Sequence, residues 1–187
     1  NTEVGRDGTG TFTLNSGTFT QLTNNLVIAQ STTSNGTVTV NDGTLQISGQ
    51  FNTNAGTAVY TQNAGSLTVN DSMKLANNSS AASTMFTLND GTISVKNNLE
   101  VRVDGTAVFT QNGGTVTVEN ANLVVSQNGS SNGTYNMNGG TLNVTNGSGS
   151  SQDMNFNSGT GVFNHNGGDV TVERDINMAS QNVATSN

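Results

Sequence analysis

The 187-residue chain has no cysteine, no proline and no tryptophan, and only 9% of it is charged. Without cysteine it can build no disulfide framework, no thiolate metal site and no cysteine nucleophile. Positive charge is scarce as well. Five Lys plus Arg stand against twelve Asp plus Glu, for a net charge of −7. Too few cations are left to neutralise phosphates, so nucleic acid is not an expected partner. No apolar run approaches the roughly 18 residues of a membrane span. No charged segment followed by an apolar stretch opens the chain, so membrane insertion is not expected either. A hydrophobic content of 31% is low enough to suggest disorder, because such chains bury too little apolar surface to offset their conformational entropy. Periodicity argues otherwise.

What the chain does have is glycine, 23 residues of it, and seven of these fall in one local pattern: Gly17, Gly43, Gly65, Gly91, Gly114, Gly140 and Gly168. Two positions before each stands an asparagine: Asn15, Asn41, Asn63, Asn89, Asn112, Asn138 and Asn166. Five positions before, the column reads Phe12, Val38, Tyr60, Phe86, Phe109, Tyr135 and Phe163, which takes six of the nine Phe and Tyr residues. Two and four positions after it, apolar residues recur, as in Leu67 and Val69 or Ile93 and Val95. Apolar residues two apart on both sides of an Asn-x-Gly break predict two short strands that share one buried face and meet at a corner. A third pair follows in each repeat, from Leu26 and Ile28 to Ile176 and Met178, with Phe51 and Thr53 as the weak member.

A repeat of 22 to 28 residues cannot bury its apolar face alone, so consecutive coils must stack with equivalent columns in register. The expected fold is therefore all-β: a parallel β-solenoid of about seven coils with three short strands each, one domain over residues 1–187. At ordinary strand spacing it forms a rod roughly 34 Å long. Variable turns suit a right-handed β-helix, by analogy with known solenoids. A hairpin-built β-sandwich competes, since Asn-Gly and Asp-Gly also mark hairpins, but it gives no reason for like residues to recur along an axis. In the solenoid, Phe12, Tyr60, Phe86, Phe109, Tyr135 and Phe163 become an internal aromatic stack. The asparagines become an inward ladder bonded amide to amide, and the glycines supply the left-handed backbone of the corner.

A second period overlies the first. Gly56-Thr57-Ala58-Val59-Tyr60-Thr61-Gln62-Asn63 recurs as Gly105-Thr106-Ala107-Val108-Phe109-Thr110-Gln111-Asn112, so coils alternate between two types. At the ends, Val4-Gly5 matches the phase of Ile28-Ala29 and of Met178-Ala179, and Thr185-Ser186-Asn187 matches Thr33-Ser34-Asn35. Neither end reads as a cap. Exposed rungs are templates for pairing, so the expectation is a piece of a longer repeat chain or end-to-end self-association.

The string Gly8-Thr9-Gly10-Thr11-Phe12-Thr13-Leu14-Asn15-Ser16-Gly17-Thr18-Phe19-Thr20, with Val4-Gly5 upstream, resembles repeats of bacterial secreted β-helix proteins. These include PEP-CTERM-type exoproteins and passengers with autotransporter-associated β-strand repeats. The resemblance implies an extracellular or cell-surface location and an adhesive, matrix or filament role without catalysis.

The residues themselves offer no catalytic constellation and call for no cofactor. His165 has no repeated partner and reads as a polar rung equivalent to Gln62 and Gln111. Asp42 and Asp90 share a turn column, but the glycine-rich nonapeptide of calcium-bound solenoids is missing. Asp169, Glu173, Arg174 and Asp175 read as a solvated turn, and no Gly-x-Ser-x-Gly elbow occurs. One surface competes with the structural reading. Thr18, Thr20, Thr44, Thr68, Thr92, Thr115, Thr117 and Thr141 are expected to face outward as a Thr-x-Thr ladder suited to ice or carbohydrate. The bland reading is that threonine is a good outward strand residue, and Gln46, Asn143 and Asp169 interrupt the array. A surface polysaccharide is the other partner considered, although the aromatics that usually stack on sugars are assigned inside.

Overall fold

A computed structural model describes residues 1–129, 131–145 and 152–178. A leading strand, β1 (Thr2–Val4), is followed by coils of three strands. The first three coils are β2 (Thr9–Leu14), β3 (Thr18–Gln21), β4 (Leu26–Ile28); β5 (Asn35–Val40), β6 (Thr44–Ile47), β7 (Phe51–Thr53); and β8 (Thr57–Gln62), β9 (Ser66–Val69), β10 (Met73–Lys74). The next two are β11 (Ser83–Leu88), β12 (Thr92–Val95), β13 (Leu99–Glu100) and β14 (Thr106–Gln111), β15 (Thr115–Val118), β16 (Leu123–Ser126). The last two are β17 (Asn132–Met137), β18 (Thr141–Val144), β19 (Met154–Phe156) and β20 (Thr160–His165), β21 (Asp169–Val172), β22 (Ile176–Met178).

Like strands pair with like, always parallel, one coil apart. The first strands of the coils form a seven-stranded sheet from β2 to β20, and the second strands a seven-stranded sheet from β3 to β21. The third strands, with β1, form an eight-stranded sheet from β1 to β22. The chain is thus a parallel β-solenoid of seven coils among the described residues, and the hairpin alternative is excluded by strand direction.

Alternation along each strand sorts side chains in and out. In β8 and β14 the burial follows that period: Ala58, Tyr60 and Gln62, and Ala107, Phe109 and Gln111, lie inside, while the residues between them reach the surface. The core is one continuous column of Val, Leu, Ile, Met, Phe and Tyr running the length of the rod. Register is kept by the corner. All seven repeat glycines have positive φ, from 66° at Gly114 to 95° at Gly43, the region that L-residues avoid and glycine does not. The corner therefore turns alike in every coil.

Two irregularities have physical causes. Thr53, which breaks the apolar run of the third strands, is fully buried, and its hydroxyl lies 2.6 Å from that of Thr84. It also accepts a bond from the Ala76 N–H at 2.8 Å. Thr84 in turn occupies a column otherwise filled by Gly36, Ala58, Ala107 and Gly133. The two exceptions are each other's partners. Between β16 and β19 the register slips, so that Ser126 rather than Val125 stands opposite Phe156; a residue is inserted there as a bulge. The N-terminal phase is as expected, with Thr2–Val4 paired to Leu26–Ile28. Ala179 and Thr185-Ser186-Asn187 lie outside the described residues.

Candidate functional surfaces

The asparagine column forms an unbroken chain of side-chain bonds. Each Nδ2 donates to the Oδ1 one coil below: Asn41 to Asn15, Asn63 to Asn41 and Asn89 to Asn63 at 2.8 Å each. The run continues with Asn112 to Asn89, Asn138 to Asn112 and Asn166 to Asn138 at 2.9 Å each. Its placement corrects the sequence expectation, because all seven side chains are on the solvent side of the corner rather than inside it. Alternation explains this. Leu14, Val40, Gln62, Leu88, Gln111 and Met137 end the first strands pointing inward, so the next residue must point out.

The aromatic stack is also shorter than its column. Tyr60, Phe86, Phe109 and Tyr135 lie face to face at centroid distances of 4.2, 4.6 and 4.6 Å, with interplanar angles of 11° to 14°. Phe163 extends them at 5.3 Å but tilts by 34°. Phe12 is not part of the stack, since Val38 intervenes in the register. It packs edge-on to Phe19 at 5.0 Å instead.

The alternation between coil types has its cause at the same corner. Gln62 and Gln111 are fully buried, and each receives a tyrosine hydroxyl: Tyr60 to Gln62 at 3.0 Å, Tyr135 to Gln111 at 2.7 Å. Their amide nitrogens donate to the corner carbonyls, Gln62 to Gly65 and Thr92 at 3.1 Å each, Gln111 to Gly114 and Thr141 at 3.2 and 3.0 Å. Each glutamine thus staples its own coil to the next. Burial pushes both tyrosine hydroxyls well above their ordinary pKa, so both stay protonated donors. In the seventh coil His165 fills the equivalent place, exposed, with Nε2 3.0 Å from the Gly168 carbonyl.

On the outside of the second sheet, Thr18, Thr44, Ser66, Thr92, Thr115, Thr141 and Asp169 fall in register, as do Thr20, Gln46, Thr68, Ser94, Thr117, Asn143 and Thr171. All are exposed or half-buried. A second column went unread in the sequence: Thr13, Thr39, Thr61, Thr87 and Thr110 align on five successive rungs of the first sheet. It continues as Asn136 and Asn164, which bond at 2.8 Å.

The third sheet differs. Its outward residues are largely buried: Val27, Asn52, Glu100, Val124 and Asn155 are each no more than 9% exposed. Burial raises the Glu100 carboxyl above the usual range against the lowering effects of Lys74 and an Asn98 bond. At the turns, Asp42 and Asp90 each accept the following glycine N–H at 2.7 Å, which accounts for their shared column as corner acceptors. No cluster of three or more metal-ligating side chains occurs among the described residues. No described helix is long and apolar enough to cross a membrane. No family model, no curated protein and no solved structure matches the chain.

Proposed function

We propose that this is a structural extracellular protein, the shaft of a surface filament, matrix fibre or adhesin, whose length grows by axial addition of β-coils. The observation that carries this reading is continuity. Three parallel sheets, an aromatic and aliphatic column and an amide ladder run unbroken through every described coil. Such stacking gives stiffness along one axis and leaves little irregular backbone for proteases. Apolar side chains are exposed on the first and last described coils: Leu22 is 78% exposed, and Ile176 and Met178 are 52% and 53% exposed. The last described coil opens onto a cavity of about 640 Å³ lined by Phe156, Phe163, Val170, Val172, Ile176 and Met178 among others.

Electron microscopy of native material tests the reading. We expect rods with an axial repeat of about 4.8 Å that resist proteolysis; compact, non-rod particles would overturn it.

A second reading is favoured by one observation. Hydroxyl-bearing columns lie in register on two adjacent sheet faces, as an ice-binding or carbohydrate-binding solenoid would need. Thermal hysteresis or crystal shaping by the purified protein would support ice binding, and its absence together with no retention on polysaccharide would remove this reading.

A further inference from the structure

Lysine is rare in this chain, occurring only as Lys74 and Lys96. Lys74 occupies an unusual place, the outward centre of the third sheet, where its in-register neighbours are Asn52 on one side and Glu100 on the other. Paired strands lie about 4.8 Å apart, so a lysine stem easily spans to the side chain of the adjoining rung. Asn52 is 6% and Glu100 8% exposed, and Lys74 between them is half-buried. Water is therefore largely kept from Asn52 and Glu100, which flank the lysine.

The asparagine is poorly satisfied. Its Oδ1 is buried with no hydrogen-bond partner, and its Nδ2 makes only a long contact of 3.4 Å to Gln50. Elsewhere in this column, adjacent asparagines pair with each other, as Asn177 does with Asn155 at 2.9 Å. Asn52 has Val27 and Lys74 as neighbours instead. A buried carboxamide oxygen without a donor is costly to keep, and the in-register neighbour of this one is the lysine.

We propose that Lys74 and Asn52 join in an intramolecular isopeptide bond, with Glu100 as the proton-transfer group. Lys74 gives up its ammonium proton, its Nζ lone pair attacks Cγ of Asn52, and the carboxylic acid of Glu100 protonates the developing oxyanion. As the carbonyl re-forms, that proton returns to Glu100, the C–Nδ2 bond breaks, and the leaving nitrogen takes up the two protons released by Nζ and departs as an ammonium ion. The net change converts a carboxamide and an ammonium into a secondary amide and an ammonium ion, with no oxidant or reductant and Glu100 restored. Burial raises the Glu100 carboxyl above its ordinary range, toward the acid form that this step uses. The bond would close the loop from β7 to β10 and fasten two successive coils at the sheet whose strands are shortest. This inference is independent of the filament reading.

The test is intact mass measurement of the purified chain in denaturant, followed by peptide mapping. We expect the wild-type protein to be lighter by one ammonia and to yield a branched peptide joining Asn52 and Lys74. Lys74→Arg and Glu100→Ala should have full sequence mass. A wild-type chain of full mass, with Lys74 open to amine-specific labelling in denaturant, overturns the proposal. So does an ammonia loss that persists in Lys74→Arg, because a succinimide at an Asn-Gly step gives the same mass change without the lysine. The wild-type map decides the matter even if a variant fails to fold.

Discussion

Gln111 and Asn112 are adjacent in the chain, end in the same chemical group and sit at the same corner, yet they belong to different physical regimes. Asn112 is exposed and bonded to Asn89 and Asn138 above and below. Gln111 is fully buried and satisfies the Tyr135 hydroxyl and two backbone carbonyls. Water can replace every bond that Asn112 makes and none of those made by Gln111. An exposed amide bond exchanges one polar partner for another at small net gain. Removal of a buried one leaves its partners unsatisfied. The column that recurs in all seven coils is thus the weaker in energy per residue, and the column that recurs in only two is the stronger.

The largest perturbation acts on both columns together, through the glycine that shapes the corner. Gly114 has φ of 66°, and a Cβ there would stand 2.3 Å from the Gly91 carbonyl oxygen, a backbone atom with nowhere to move. Gly114→Ala should cost more than about 3 kcal/mol, from left-handed strain plus overlap, and should lower the urea midpoint strongly or abolish folding. Gly17→Ala is the internal control. Its φ is 82°, but nothing lies within 4 Å of the added atom, so only the backbone strain of about 1–2 kcal/mol remains. Equal losses at both sites would show that stacking of one corner on the next contributes nothing.

The two amides can then be separated. Leu88 and Met137 flank Gln111 in its column, so Gln111→Leu fits the space while stranding the buried Tyr135 hydroxyl and removing the side-chain bonds to the Gly114 and Thr141 carbonyls, of which Gly114 keeps its bond from the Thr141 N–H. A loss of about 2–3 kcal/mol is expected. Asn112→Leu removes a rung of the outer ladder, where solvent can compensate, and should cost about 1 kcal/mol or less. Denaturation of the pair checks the order; a larger loss for Asn112→Leu would reverse the assignment of strength and reinstate the outer ladder as the main support.

Most of the architecture was legible because stacking forces like residues onto one another, and recurrence along a sequence is how that force is recorded. Strand positions, coil count and the left-handed glycine corner follow from Gly17, Gly43 and their equivalents. The side occupied by the asparagines was not legible from recurrence alone, since an exposed ladder and a buried one repeat equally well. Strand alternation from Phe12 through Leu14 decides it. Pairings between exceptions, such as Thr53 with Thr84 and Tyr135 with Gln111, are harder to read. They join different columns, Thr53 and Thr84 from two sheets and Tyr135 and Gln111 from neighbouring strands of one, and only the coordinates bring them within bonding distance. The buried outward column of Asn52, Lys74 and Glu100 was silent for a similar reason, since alternation by itself assigns these residues to solvent.

The smallest expected effect bears on the outer face beyond the corner. Thr115 is aligned with Thr92 and Thr141 and is half-buried on the outside of its strand. Thr115→Ser retains the hydroxyl and deletes one methyl on the outer side of the strand, so stability should change by no more than about 0.5 kcal/mol, most of it from lost strand preference. Activity separates the two functional readings where stability does not. A rod whose role is mechanical is indifferent to this methyl. A face that binds an ordered surface through an array of hydroxyl and methyl groups loses contact at the centre of the array, and any hysteresis or polysaccharide retention should fall measurably at unchanged urea midpoint.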